Sequence, residues 1–147
     1  MISSNDISVD FLELLTKAGW VETRRVDVAK WLDSFFREGF TRIPFAIEIL
    51  ESLGGLTIYS SKNVRLQFDP YYISGDYDKA NALENAIGIK LCPFAYDSFG
   101  NSIWVDIKNC FYYGMEYGVF KIGENFKDAM DQLAFSKGPV LKIHEGI

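Results

Sequence analysis

The side chains able to do covalent or acid–base chemistry are few and scattered. The chain has one histidine, His144, and two cysteines, Cys92 and Cys110. A Cys–His nucleophile pair needs a third group to orient the imidazole and donors for an oxyanion. Nothing near His144 supplies either, so this histidine is expected to be solvent-exposed in a C-terminal tail. The cysteines are expected to be free thiols. Without C-x-x-C spacing or a second histidine, no zinc site is expected. Asp69 and Glu84 could converge as paired carboxylates in the manner of a glycosidase. Such a small hydrolase would need a deep pocket with one carboxyl raised in pKa. The spacing does not select this pair: Asp69 is expected to organise a turn and Glu84 to face water. Gly54-Gly55 follows a helix pattern and precedes a strand pattern, the reverse of the order that cradles phosphate. No catalytic, cofactor-binding or metal-ligating residue is therefore expected.

The remaining candidates suit binding. Tyr71, Tyr72 and Tyr77 are interleaved with Asp69, Asp76 and Asp78. Tyrosine offers a large contact area at low entropy cost and is enriched in interface hot spots. Tyr71, Tyr72, Asp76, Tyr77 and Asp78 are accordingly the candidate partner-binding residues. A second cluster, Tyr112, Tyr113, Glu116 and Tyr117, falls on a hairpin. Arg24-Arg25 is expected to pack over Trp20 or to pair with Glu22 or Asp27 at surface strength, with a phosphate or acidic partner as the alternative. The net charge of −5 weighs against nucleic acid as the partner, since that needs a basic surface. No stretch approaches the roughly 20 apolar residues that span a bilayer. The opening residues carry no basic n-region or long apolar run, so no signal peptide is expected.

The elements that must position these residues are legible from periodicity. At 147 residues, with 48% hydrophobic and 16% aromatic content, one folded domain is expected. Helices are predicted over 8–18, after an Asp27 cap, from Pro44 to Leu53, over 76–87 and over 124–135. Val28, Trp31, Leu32, Phe35 and Phe36 form the stripe of the second, and Ala46, Ile49, Leu50 and Leu53 that of the third. Gly54 is expected to close the third helix in the left-handed conformation, with Gly55 turning into a strand. Strands are predicted over 56–59, 64–68, 89–96, 102–107, 110–115 and 119–122, paired antiparallel, with Ile103, Val105 and Ile107 alternating against Ser102, Trp104 and Asp106 in the fourth. Gly138-Pro139 is expected to open an irregular tail. The fold class is α+β, with a central, mainly antiparallel sheet of about six strands flanked by about five helices.

The order of these features resembles the SUKH superfamily of bacterial immunity proteins, closest to its third family. Ala18-Gly19-Trp20, Arg25, Asp27, Leu53-Gly54-Gly55-Leu56 and Phe68-Asp69-Pro70 carry the resemblance. Ile87-Gly88, Leu91, Pro93, Gly100, Val105-Asp106, Gly123 and Leu133 continue it. It extends from about residue 15 to 138. Lys108-Asn109, where a glycine is expected, and the tail beyond Leu133 depart from the pattern. The resemblance implies a SUKH-like domain without enzymatic activity and without cofactors. It implies a cytoplasmic location and a cognate toxin domain as protein partner, commonly a nuclease or deaminase. The acidic charge suits a basic toxin. Open strand edges suit a monomer or weak homodimer. An adaptor or regulatory scaffold of the same superfamily is the alternative reading.

Overall fold

Helix starts are fixed by side chains that satisfy free backbone N–H groups. The computed structural model describes residues 2–60, 64–69, 77–115 and 118–144. The Ser8 Oγ accepts the Phe11 N–H at 3.1 Å, and α1 runs Val9–Lys17 with Phe11 and Leu15 buried. Asp27 Oδ1 accepts the Ala29 N–H at 3.0 Å at the start of α2, Ala29–Glu38. Val28 and Phe35 are buried beside it and Trp31 and Leu32 half-buried; the Phe36 side chain lies outside the described residues. Pro44 opens α3, Pro44–Leu53, where its missing N–H costs nothing. Ala46, Ile49, Leu50 and Leu53 form its buried stripe. Tyr77–Ile87 is α4. In α5, Phe126–Phe135, Asn125 Oδ1 accepts the Asp128 N–H at 2.8 Å.

The strands are β1 Thr57–Tyr59, β2 Arg65–Gln67, β3 Leu91–Asp97, β4 Ser102–Asp106, β5 Phe111–Met115, β6 Gly118–Gly123 and β7 Leu141–His144. They lie in chain order in one sheet. Each neighbour is antiparallel. Helix α4 intervenes between β2 and β3, and α5 between β6 and β7, without disturbing that order. The α+β reading and the count of five helices hold among the described residues. The sheet has seven strands rather than six, because the expected tail returns as β7: Leu141 pairs with Lys121 and His144 with Val119.

Both faces of the sheet are covered. Phe94, Ile103, Val105 and Phe111 face the larger core, shared with α1, α3 and α5. The Phe111 ring meets Phe94 edge-on at 5.7 Å between centroids, and Phe126 at a tilt at 5.9 Å. On the opposite face, Leu83 of α4 packs with Leu91, Trp104, Tyr112 and Val119. The alternation expected for β4 is therefore present, yet all its residues are buried. Ile107, expected to continue the core face, is 64% exposed. The strand ends one residue earlier, where the Asp106 carboxylate turns the chain.

The glycine pair divides its work differently from expectation. Gly54 sits at φ −53°, ψ 135°, whereas Gly55 takes the positive φ of 85°. Gly54 is required by space: a Cβ there would lie 2.4 Å from both the Leu50 carbonyl oxygen and the Trp31 ring. The Gly55 N–H then donates to the Phe68 carbonyl at 2.7 Å, extending the β1–β2 ladder beyond its strands.

Candidate functional site

The residues with covalent or acid–base potential are dispersed. His144 ends β7 opposite Val119 and is half-buried rather than free in solvent. Cys92 lies in β3 within the larger core, and Cys110 packs with the opposite cluster. Both are free thiols. Burial pushes the Cys92 thiol up to about 12 and raises that of Cys110, so neither is an activated nucleophile. Among the described residues, no group of three or more His, Cys, Asp or Glu could hold a metal ion.

Glu84 does not face water. It is 5% exposed, its Oε1 accepts the Leu91 N–H at 2.8 Å, and Lys90 Nζ lies 3.4 Å from its Oε2. Its carboxylate fastens the end of α4 to the start of β3, a role that helical periodicity alone cannot reveal. Asp69 is half-buried just after β2.

Arg24 also has an internal task. Its guanidinium donates to the carbonyls of Ser52 at 3.0 Å and Gly54 at 2.8 Å, satisfying the end of α3. Partial burial lowers its pKa. Trp20 Nε1 donates to Ser52 Oγ at 3.3 Å, and the Val26 N–H to the Glu51 carbonyl at 2.9 Å. The loop between α1 and α2 is thus laid against the end of α3, and it leaves Arg25 exposed.

The second tyrosine cluster is internal as far as it is described. Tyr112 donates its hydroxyl to Asp106 Oδ2 at 2.8 Å, and Tyr113 donates to Asp97 Oδ2. Burial and the Asp106 carboxylate hold the Tyr112 phenol well above its ordinary pKa. Glu116 and Tyr117 lie outside the described residues. In the first cluster, Tyr71, Tyr72 and Asp76 also lie outside them, as do Pro70 and the residues Ser61, Lys62 and Asn63 that separate the strands predicted over 56–59 and 64–68. The two remaining candidate contact residues, Tyr77 and Asp78, start α4. The Tyr77 ring meets Phe40 edge-on at 5.1 Å and covers Gly39, while Asp78 is exposed.

An open groove of about 260 Å³ lies where β2, the β3–β4 turn and the end of α5 meet. Leu66, Tyr113, Phe120 and Leu133 line it, with Phe99 and Val140 at its exposed margin. The single charged side chain among its described lining residues is Asp97.

The class that fold and site define is an α+β scaffold: an antiparallel meander covered on both faces, with Glu84, Asp97, Asp106, Tyr112, Tyr113 and Arg24 engaged in holding turns and helix ends. The family model of the SUKH-3 immunity protein matches residues 7–135, and the chain belongs to that family. No curated protein and no solved structure matches. Both departures noted in the sequence have a structural account. Asn109 adopts φ 65°, the left-handed conformation that asparagine tolerates where glycine was expected. The chain beyond the match supplies β7. No helix among the described residues is long and apolar enough to cross a membrane.

Proposed function

We propose that this protein is an immunity protein that binds and neutralises a bacterial toxin domain in the cytoplasm of the toxin-producing cell, by occlusion and without catalysis of its own. Membership of the SUKH-3 immunity protein family carries this reading. The net charge of −5 favours a basic toxin, a nuclease or a deaminase, since complementary charge accelerates encounter. The protein acts as a monomer or weak homodimer. Tyr71, Tyr72, Asp76, Tyr77 and Asp78 form part of the contact surface, with Asp78 supplying exposed charge at the start of α4.

The test is co-expression with the toxin domain encoded beside the gene. Restored growth and a co-purifying complex are expected; a toxin left active and uncomplexed refutes the reading. Replacing Tyr72, Asp76 and Asp78 together should weaken the complex while leaving the melting temperature intact. Unchanged affinity removes this segment from the interface without touching the immunity role.

A further inference from the structure

We propose that the groove between β2, the β3–β4 turn and the end of α5 receives an arginine side chain of the protein partner; this rests on the toxin-binding reading above. Three observations converge there. The groove is mostly apolar, lined by Leu66, Phe120 and Leu133 with Gln132 and Ser136 beside them. Phe99, at the β3–β4 turn, is 83% exposed, and Val140, which also lines the groove, 49%. A turn tip does not need a phenylalanine for its own geometry, because Asp97 and Gly100 already provide the turn chemistry. The third observation is Asp97, a carboxylate only 5% exposed at the inner end. Its Oδ1 accepts the N–H groups of Phe99 and Asn101, each at 2.9 Å. Its Oδ2 accepts from the Tyr113 hydroxyl and the Asn101 amide. Among the described residues dipoles alone hold it, and no described residue lining the groove is basic. Arg65 is exposed, alternating with the buried Leu66 to the other face of β2.

The occupant that fits is apolar along its stem and cationic at its tip. Arginine meets both demands: its methylenes can lie on Leu66 and Leu133, and its weakly hydrated guanidinium stacks readily on an aromatic face such as Phe99. A lysine ammonium is more strongly hydrated and cannot stack in this way. A carboxylate has about four acceptor positions, and the bonds just described use those of Asp97. Its contribution to the guest is therefore its field rather than a hydrogen bond. In a groove with low-dielectric walls that field is weakly screened.

The experiment has two arms. In the first, amide NMR shifts of the isolated protein are followed with millimolar N-acetyl-arginine amide and with its neutral isostere, N-acetyl-citrulline amide. Shifts at Phe99, Leu133 and Val140 with arginine alone, shrinking as salt is raised, are expected. Equal shifts with citrulline, or none in the groove, overturn the proposal. In the second, Val140→Lys and Val140→Glu are compared for affinity to the toxin domain. Val140→Lys should weaken it by at least about tenfold through like-charge repulsion, and Val140→Glu should retain or tighten it. Both variants should keep the parental melting temperature, because Val140 is exposed. If toxin binds the parent and both variants alike, the groove assignment falls and the immunity reading stands. If no toxin binds while the arginine-specific shifts persist, the immunity reading falls and the arginine specificity of the groove stands.

Discussion

Tyr112 and Tyr113, neighbours on β5, donate their hydroxyls to different buried carboxylates: Tyr112 to Asp106 at 2.8 Å, and Tyr113 to Asp97. Strand alternation sends the two rings to opposite faces of the sheet. Each acid builds a hairpin turn by the same device. Asp97 Oδ1 accepts the N–H groups of Phe99 and Asn101, and Asp106 Oδ1 those of Lys108 and Cys110. These bonds two and four residues onward are local carboxylate turns. One dipeptide of β5 thereby locks both ends of β4, in a sheet whose faces are both packed.

Removing either hydroxyl leaves a buried carboxylate short of a donor. Tyr112→Phe and Tyr113→Phe should each lower stability by about 1–3 kcal/mol, read from the urea midpoint at unchanged m-value. Asp106 ends β4, whereas Asp97 ends β3 opposite Asn101, just before β4 begins, so the two acids lie roughly 16 Å apart along the strands at about 3.3 Å per residue. The double variant should therefore show the sum of the single losses to within about 0.5 kcal/mol. A larger departure would mean that the two ends behave as one network.

Gly54 and Gly55 should respond unequally to alanine. At Gly54 the new Cβ would press on the Leu50 carbonyl and the Trp31 ring, each 2.4 Å away. Such overpacking costs about 1–3 kcal/mol, and more where backbone must move. At Gly55 the contact is loose, with Arg24 Nη2 at 3.8 Å, and only the positive φ of 85° resists. That conformation costs roughly 1–2 kcal/mol for an L-residue. Thermal melts should place Gly54→Ala below Gly55→Ala; the reverse order would restore the left-handed role to Gly54.

Arg24 and Arg25 form another unequal pair. Hydrogen bonds from a charged donor contribute about 1.5–3 kcal/mol each when buried. Arg24 is only partly buried, so Arg24→Ala should cost about 1–2 kcal/mol for its bonds to Ser52 and Gly54 together. Hydrogen exchange should quicken at the end of α3. Arg25→Ala, at an exposed site, should stay within about 0.5 kcal/mol of the parent. Equal losses would show that the two carbonyls are served as well by water.

The contrast between these residues explains what the chain revealed and what it concealed. Helix α3 was readable because Ala46, Ile49, Leu50 and Leu53 repeat at helical spacing and a proline begins it. The meander was readable from alternation in β4 and from turn residues between strands. Strand β7 was not, because four residues with an exposed Leu141 show too little alternation; their order comes from pairing with β6. Burial of Glu84 depends on where the α4–β3 connection folds, which no pattern within α4 encodes. Arg24 and Arg25 are chemically identical, and only the path of the loop over α3 separates them. Tyr112 and Tyr113 looked like interface residues for a related reason. Their acceptors, Asp106 and Asp97, are brought to them by strand register. Of the first tyrosine cluster, the structure describes Asp69, Tyr77 and Asp78, so the contact role proposed for that segment rests on its composition.

Alkaline pH should expose the cost of the buried thiol. Cys92 has an ordinary value of 9.0 that burial pushes up to about 12 in the folded chain. Between those values the unfolded chain releases a proton that the native protein keeps, so rising pH favours unfolding. The contribution is fully present below 9.0 and is lost as pH climbs through about 12. Tyr112, whose value is also raised, adds a loss of the same sign at higher pH. One such proton changes stability by at most about 1.4 kcal/mol per pH unit. Cys92→Ala should therefore be less stable at neutral pH, having lost packing, yet show a shallower decline above pH 9.0 in urea titrations. Native protein should also leave Cys92 unmodified by a thiol reagent until urea exposes it. An unchanged alkaline slope in Cys92→Ala would instead assign the decline to Tyr112 and Lys121, whose values are also raised.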